Sequence, residues 1–126
     1  IGQDIIDYGT CGKDLSWIIY ENGTLTITDT SFINNTANKQ GGAIYNTGAI
    51  TSITGDFTNN SVESSSGNAF GGAIYSGYEY IGDTYYRGAI SNVTSSFAGN
   101  RVTADGIGYG GAIYTASNMT FNVKGL

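Results

Sequence analysis

The pentapeptide GGAIY occurs three times in this chain, at residues 41–45, 71–75 and 110–114. Each copy follows a Phe-x-x-Asn tetrad, at 32–35, 57–60 and 97–100. Nine residues before each of these phenylalanines lies a glycine, at Gly23, Gly48 and Gly88. The chain is therefore built from an internal repeat, and the fold must offer the same residues the same environment each time.

The segments that follow the three glycines carry the pattern of strands with one buried face. Leu25-Thr26-Ile27-Thr28 alternates apolar and polar residues, and Ile50-Thr51-Ser52-Ile53 nearly does so. Each repeat contains about three such runs, more than a hairpin can bury. If each repeat forms one turn of a coil, every strand pairs in parallel with its counterpart roughly 4.8 Å away. We therefore predict an all-β fold, a parallel β-helix (β-solenoid) of about four turns.

Stacked turns explain why particular residues recur. We expect an aromatic column of Phe32, Phe57, Phe97 and Phe121, an aliphatic column of Ile44, Ile74 and Ile113, and an outer column of Tyr45, Tyr75 and Tyr114. Corner asparagines, Asn35, Asn60 and Asn100, would form an amide ladder and tolerate left-handed backbone angles. The glycine pairs would turn where any Cβ clashes, at Gly41, Gly42, Gly71, Gly72, Gly110 and Gly111.

The repeat pattern divides the chain into two parts. Residues 23–126 form the predicted β-helix domain, and residues 1–22 form an N-terminal capping segment. Asn22-Gly23 is a good two-residue turn, so we expect Ser16–Tyr20 to pair with Thr24–Thr28 as a capping hairpin. The chain starts at Ile1 without an initiator methionine, which favours a fragment of a longer protein.

Composition excludes several classes of function. The net charge is −5, and the five lysines and arginines form no basic stripe, so we expect no nucleic-acid partner. No run of about 20 apolar residues is present to span a membrane. Cys11 is the only cysteine, which rules out a disulfide within the chain, and no histidine is present to activate it. A buried apolar role is the simplest interpretation of Cys11.

The alternation of GGAI with Phe-x-x-Asn resembles the repeat of the polymorphic outer-membrane protein family and of related adhesin-like surface proteins, over roughly residues 23–121. The resemblance implies a right-handed parallel β-helix within an autotransporter-like passenger that is secreted or displayed on the outer membrane or cell wall. It also implies adhesion to a protein or glycan on host or neighbouring cells. The pattern weakens towards the C-terminus, where the fourth tetrad is reduced to Phe121-Asn122-Val123-Lys124.

An insertion after the second GGAIY supplies the best candidate for a binding site. It contains four tyrosines and an arginine within ten residues, namely Tyr78, Tyr80, Tyr85, Tyr86 and Arg87. Tyrosine and arginine supply rigid contact area and hydrogen bonds at recognition surfaces. The alternative is that these rings cover the side of the coil or add a strand to it.

Catalysis is the main competing hypothesis, because β-helices include polysaccharide lyases and hydrolases. Such enzymes need clustered carboxylates, and the candidates, with two arginines, are Asp56, Glu63, Glu79, Asp83, Asp105, Arg87 and Arg101. None of the carboxylates forms an adjacent pair, so we predict no catalytic residues, no metal and no cofactor. The expected function is a non-enzymatic, adhesin-like display scaffold. The alternatives are a carbohydrate-active enzyme that uses the Asp83–Arg87 loop with Asp105, and a purely structural spacer.

Overall fold

The computed structural model of this chain describes residues 5–8, 16–19, 24–116 and 120–123. Every regular element in these ranges is a β-strand. In chain order they are β1 (Ile5–Tyr8), β2 (Ser16–Ile19), β3 (Thr24–Ile33), β4 (Thr36–Ala37), β5 (Ile44–Asn46), β6 (Ala49–Thr58), β7 (Ser61–Ser64), β8 (Ala69–Phe70), β9 (Ile74–Ser76), β10 (Tyr78–Ile81), β11 (Thr84–Arg87), β12 (Ala89–Ala98), β13 (Arg101–Ala104), β14 (Gly108–Tyr109), β15 (Ile113–Thr115) and β16 (Thr120–Val123). Within the same ranges no helix is long and apolar enough to cross a membrane.

Four sheets join equivalent strands of successive repeats. Their strand orders are β16-β12-β6-β3, β13-β7-β4, β15-β9-β5 and β14-β8, and every pairing within them is parallel. Two further sheets, β1-β2 and β10-β11, are antiparallel pairs. The all-β class with parallel sheets is thus confirmed, and the arrangement is compatible with a β-solenoid.

The register of these sheets places identical residues of the repeats side by side. Phe32 pairs with Phe57, which pairs with Phe97, and neighbouring rings stack at centroid distances of 4.9 Å. Ile44, Ile74 and Ile113 are aligned in the same way. The side chains of Phe57 and Ile74 are fully buried in the main core cluster. Three of the four phenylalanines therefore form the predicted column.

An asparagine ladder runs beside this column. Asn60 Oδ1 accepts hydrogen bonds from the backbone N–H and the side-chain amide of Asn35, at 3.1 and 3.0 Å. Asn100 Oδ1 accepts the same two bonds from Asn60, both at 2.9 Å. The amides of Asn60 and Asn100 also donate to the carbonyls of Phe32 and Phe57. The ladder locks each repeat to its neighbour through buried polar groups.

The left-handed backbone angles lie one residue before the ladder, which corrects the expectation for the corner asparagines. Positive φ occurs at Asn34 (59°), Asn59 (56°) and Gly99 (66°). The residue at the third position of each tetrad makes the turn. The side-chain amide of the asparagine at the fourth position then lies along the stack. Asparagine and glycine occupy the turn because they adopt φ > 0 at low cost.

The two glycines of each GGAIY differ in their constraints. The first has φ of 58° at Gly41 and 63° at Gly71 and Gly110. A Cβ on the second glycine would collide with a backbone carbonyl of the next repeat. At Gly42 the Cβ would meet the carbonyl of Gly72, and at Gly72 it would meet the carbonyl of Gly111. At Gly111 a Cβ would meet nothing within 4 Å. The predicted clash is therefore wrong for Gly111, because no described strand packs on that side.

The prediction for Phe121 is also wrong. Its backbone pairs with Val93 and not with Phe97. Phe121 follows Tyr114 by seven residues, whereas Phe57 follows Tyr45 by twelve, so the chain reaches an earlier register position. The side chain of Phe121 lies outside the described residues.

The predicted capping hairpin is wrong in its pairing. Strand β2 pairs with β1, where Ile5 lies opposite Ile19 and Ile6 opposite Ile18. Strand β3 pairs with β6 in parallel, which aligns Leu25 with Ile50 and Ile27 with Ile53. Long-range burial of this apolar face outweighs the local turn propensity of Asn22-Gly23. Strand β2 lies beside β5, and Cys11 lies outside the described residues.

Candidate functional site

The tyrosine-rich insertion folds as a two-stranded antiparallel hairpin. Strands β10 and β11 pair Tyr78 with Arg87 and Tyr80 with Tyr85. The turn between them consists of two residues, Gly82 and Asp83, and Gly82 has a φ of 64°. Gly-Asp between two short strands is a recognised hairpin sequence. That signal was present in the sequence, although we predicted only an inserted loop or an added strand.

One face of the hairpin gathers four of the five predicted binding residues. Residues 78, 80, 85 and 87 share this face because side chains alternate along a strand and paired residues lie on the same side. We call Tyr78, Tyr80, Tyr85 and Arg87 the tyrosine face. The Tyr85 ring lies 5.5 Å from that of Tyr78 and 4.8 Å from that of Tyr80. By the same alternation Tyr86 belongs to the opposite face.

The tyrosine face is open to solvent. Tyr80 is 70% exposed, Tyr85 47% and Tyr78 42%. Their mutual stacking orders three large side chains that would otherwise each be mobile on a surface. A ligand therefore meets rings that are already arranged, which lowers the entropic cost of binding.

Contacts with the second and third repeats hold the base of the hairpin. The Tyr75 hydroxyl accepts a hydrogen bond from the Tyr78 N–H at 3.1 Å and donates to the Tyr78 carbonyl at 3.3 Å. The Gly88 N–H donates to the Gly77 carbonyl at 2.8 Å and closes the base. Arg87 Nη2 donates to the Ala116 carbonyl at 2.8 Å. The hairpin is thus fixed to the parallel sheets at several points.

The tyrosines that end each GGAIY take part in this anchoring. Rings of Tyr45, Tyr75 and Tyr114 stack at 5.1 and 5.5 Å, as the predicted column requires. Tyr75 is only 5% exposed, so this column is buried at its centre. Phe70 stacks on Tyr109 at 4.9 Å and meets Tyr75 edge-on. Sequence reasoning missed Phe70 and Tyr109, although each directly precedes a GGAIY motif.

Arg87 is the one charged member of the tyrosine face. Its guanidinium lies over the Tyr78 ring, 5.6 Å from the centroid. Among the residues that the structure describes, the one ion pair is Arg101 with Glu63, at 3.2 Å, so Arg87 has no carboxylate partner there. Partial burial and the neighbouring phenols of Tyr78 and Tyr80 raise the pKa of Tyr85, against the opposing effect of Arg87. The Tyr85 hydroxyl is therefore a neutral donor at physiological pH.

The carboxylates proposed for catalysis are dispersed. Asp83 lies in the hairpin turn, whereas Arg87 ends β11 at the base of the hairpin. Glu63 pairs with exposed Arg101, and Asp56 accepts a hydrogen bond from the Ser96 hydroxyl. Asp105 follows β13, and the side chain of Glu79 lies outside the described residues. In the described part of the chain no group of three or more acidic, cysteine or histidine residues could hold a metal ion.

A shallow polar depression on the outer face of the β3-β6-β12 sheet is a weaker candidate. Asp29, Ser31, Thr54, Gly55, Asp56 and Thr94 line it. The Asp29 N–H donates to Thr54 Oγ1 at 2.8 Å, and the Thr54 hydroxyl donates back to the Asp29 carboxylate. Asp29 and Thr54 thus bond to each other, and the Asp56 carboxylate is already bonded to Ser96, so the tyrosine face remains the main candidate.

Comparison with known protein families finds a similarity for two of the three repeats. The model of the Chlamydia polymorphic membrane protein repeat matches residues 29–47 and 94–116. These segments contain the first and third Phe-x-x-Asn and GGAIY motifs, which the parallel sheets bring into register with the second copy. No curated protein and no solved structure matches the chain. These two segments, which cover less than half of the chain, are therefore similar to the polymorphic membrane protein repeat.

Proposed function

We propose that this chain is a β-helical segment of a surface-exposed, adhesin-like protein, and that it displays the tyrosine face to another cell. The polymorphic membrane protein repeat supports a surface role, at the outer membrane or cell wall. In the proposed fold the stacked repeats wind as a right-handed parallel β-helix, in agreement with the in-register parallel sheets. The function is binding and needs no catalytic group or cofactor.

The observation that carries this proposal is the position of the hairpin on the repeat. In the first repeat, Asn46, Thr47 and Gly48 connect the GGAIY strand to the next long strand. In the second repeat, Ser76, Gly77 and Gly88 make the same connection, and residues 78–87 are inserted between the two glycines. Without the insertion the two connections have equal length. The frame therefore does not need the hairpin, whose exposed aromatic residues are of the type that dominates binding energy at interfaces.

Deleting residues 78–87 tests the proposal. The deletion joins Gly77 to Gly88, whose backbones already form a hydrogen bond, so we expect the parallel sheets to fold as before. Circular dichroism should show only the loss of strands β10 and β11. The labelled chain and the deletion variant would be compared for binding to a panel of cultured cells by flow cytometry. We expect the complete chain to bind at least one cell type and the variant to lose that binding.

Two other results would contradict the proposal. Equal binding by a folded deletion variant would exclude the hairpin as the contact surface. Absence of binding to every cell type by the complete chain would favour a structural spacer. Release of new reducing ends from acidic polysaccharides by the chain would instead favour the carbohydrate-active alternative.

A further inference from the structure

Arg87 is a surface cation that is held in place without an acidic partner among the described residues. Its guanidinium has two fixed contacts, the Ala116 carbonyl and the face of the Tyr78 ring. Neither contact neutralises the charge, and no described carboxylate lies within ion-pair distance of it. Most exposed arginine side chains must lose considerable freedom before they bind a ligand, whereas this one is already ordered.

The chemistry of the guanidinium defines the group that it would bind. Five N–H donors in a planar fork match the two oxygens of a carboxylate, and the bond to Ala116 uses one of them. The chain as a whole carries a net charge of −5, but the tyrosine face carries only the positive charge of Arg87. Charge complementarity therefore favours an anionic group at the base of the hairpin.

The tyrosines define the rest of the ligand. Tyr80 and Tyr85 present exposed ring surface with their ring centroids 4.8 Å apart, and each ring carries a hydroxyl group. A ring offers an apolar surface for stacking, and its hydroxyl exchanges hydrogen bonds with polar groups at the edge of the ligand. A pyranose ring has a C–H face of matching character with hydroxyl groups around its edge. A sugar acid combines this ring with a carboxylate.

We propose that the tyrosine face binds a saccharide that bears a carboxylate. The carboxylate pairs with the Arg87 guanidinium, and the sugar rings lie against Tyr80 and Tyr85. This inference rests on the proposed adhesive function and names the chemical class of its ligand.

Direct binding measurements with matched ligand pairs test the inference. Isothermal titration calorimetry would compare sialyllactose with lactose, and trigalacturonate with its carboxyl-reduced form. We expect the acidic member of at least one pair to bind more tightly, on the order of tenfold, since only the acidic member can form a charge-assisted hydrogen bond with the Arg87 guanidinium. Raising the salt concentration would weaken the binding of the acidic member alone.

Single substitutions separate the two parts of the site. Arg87→Gln should reduce the affinity for the acidic member to that for its neutral counterpart, whereas Tyr80→Ala should weaken the binding of both. Arg101→Gln is the matched control, because it removes the same charge from an exposed arginine that already pairs with Glu63. We expect Arg101→Gln to leave the discrimination between the two ligands unchanged.

The inference and the proposed function fail in distinguishable ways. Equal affinities for acidic and neutral members, or discrimination that survives Arg87→Gln, would overturn the inference. Cell binding that depends on residues 78–87 while no saccharide binds would point to a protein ligand, which overturns the inference but leaves the proposed function standing. Cell binding that persists after deletion of residues 78–87 would overturn the proposed function itself.

Discussion

The second glycine of the first two GGAIY motifs allows neighbouring repeats to approach each other closely. A methyl group at Gly72 would collide with the backbone carbonyls of Gly111 and Arg101, whereas one at Gly111 would enter open space. We expect Gly72→Ala to lower the free energy of unfolding by about 2–3 kcal/mol or more, because backbone must shift. Gly111→Ala is the control and should change it by less than about 0.5 kcal/mol. Urea denaturation measures both, and equal effects would contradict the close approach.

The amide ladder provides a second comparison at the level of single residues. The Asn60 side chain is buried and bonds to the backbone or side chains of Asn35, Phe32 and Asn100. We expect Asn60→Ala to cost about 2–4 kcal/mol in the free energy of unfolding, since it leaves buried groups without partners. Asn100→Ala should cost roughly half as much, because Asn100 is partly exposed and water can replace some of its bonds. Thermal and urea unfolding of the two variants tests this difference. Equal losses in the free energy of unfolding would contradict it.

At the level of elements, the Tyr75 hydroxyl is one of the contacts that anchor the hairpin to the parallel sheets. Tyr75→Phe keeps the ring in its column but removes both hydrogen bonds to the Tyr78 backbone. We expect a global loss of only about 1 kcal/mol and a marked rise in the hydrogen-exchange rate of the Tyr78 amide. Tyr114→Phe, at the equivalent position of the third repeat, serves as the control. If the Tyr78 amide exchanged at the same rate in both variants, the hydroxyl would have no role in anchoring the hairpin.

Across the whole molecule, protection should follow the order of the stack. The amides of Ala43 and Ala73 donate to the next repeat, to the carbonyls of Ala73 and Ala112, at 2.9 and 2.8 Å. The Ala112 amide has no acceptor among the described residues, and Ala112 is half-buried where Ala73 is fully buried. In repeat structures each unit is stabilised by its neighbours, so the third repeat should open more easily than the second.

Native-state hydrogen exchange followed by NMR measures this gradient. We expect the Ala73 amide to exchange more slowly than that of Ala112 by on the order of a hundredfold or more, because it opens only with the core. Ala43 should behave like Ala73. Uniform exchange at the three alanines would mean that the stack unfolds as a single unit without a weaker end.

The repeat itself determined the columns of the fold. Phe32, Phe57 and Phe97 occupy equivalent positions because each follows its strand-opening glycine by nine residues, and equal spacing leads to equal positions in parallel strands. The same argument placed Asn35, Asn60 and Asn100 in one ladder. Stacking of identical residues is a property of the spacing, so the sequence alone predicts it.

The candidate site was predictable in composition but not in geometry. A run of tyrosines with Arg87 indicated a contact surface, and Gly82-Asp83 marked a turn. Which residues share a face follows from the strand pairing, which separates Tyr86 from Tyr78, Tyr80 and Tyr85. The anchoring of the hairpin by Tyr75 joins segments that are fixed by different sheets, and no local pattern encodes it.

Tertiary structure alone decided where the repeat pattern gives way. Phe121 pairs with Val93 because the chain covers the distance from Tyr114 with too few residues to reach the position of Phe97. Strand β3 buries its apolar face by pairing with β6, and β2 therefore pairs with β1. Local turn propensity contributes only a small part of the free energy of a sheet, whereas burial and pairing between distant strands contribute most of it. The sequence by itself thus determined which residues recur together, and long-range packing determined which strands meet and which side chains remain exposed for a partner.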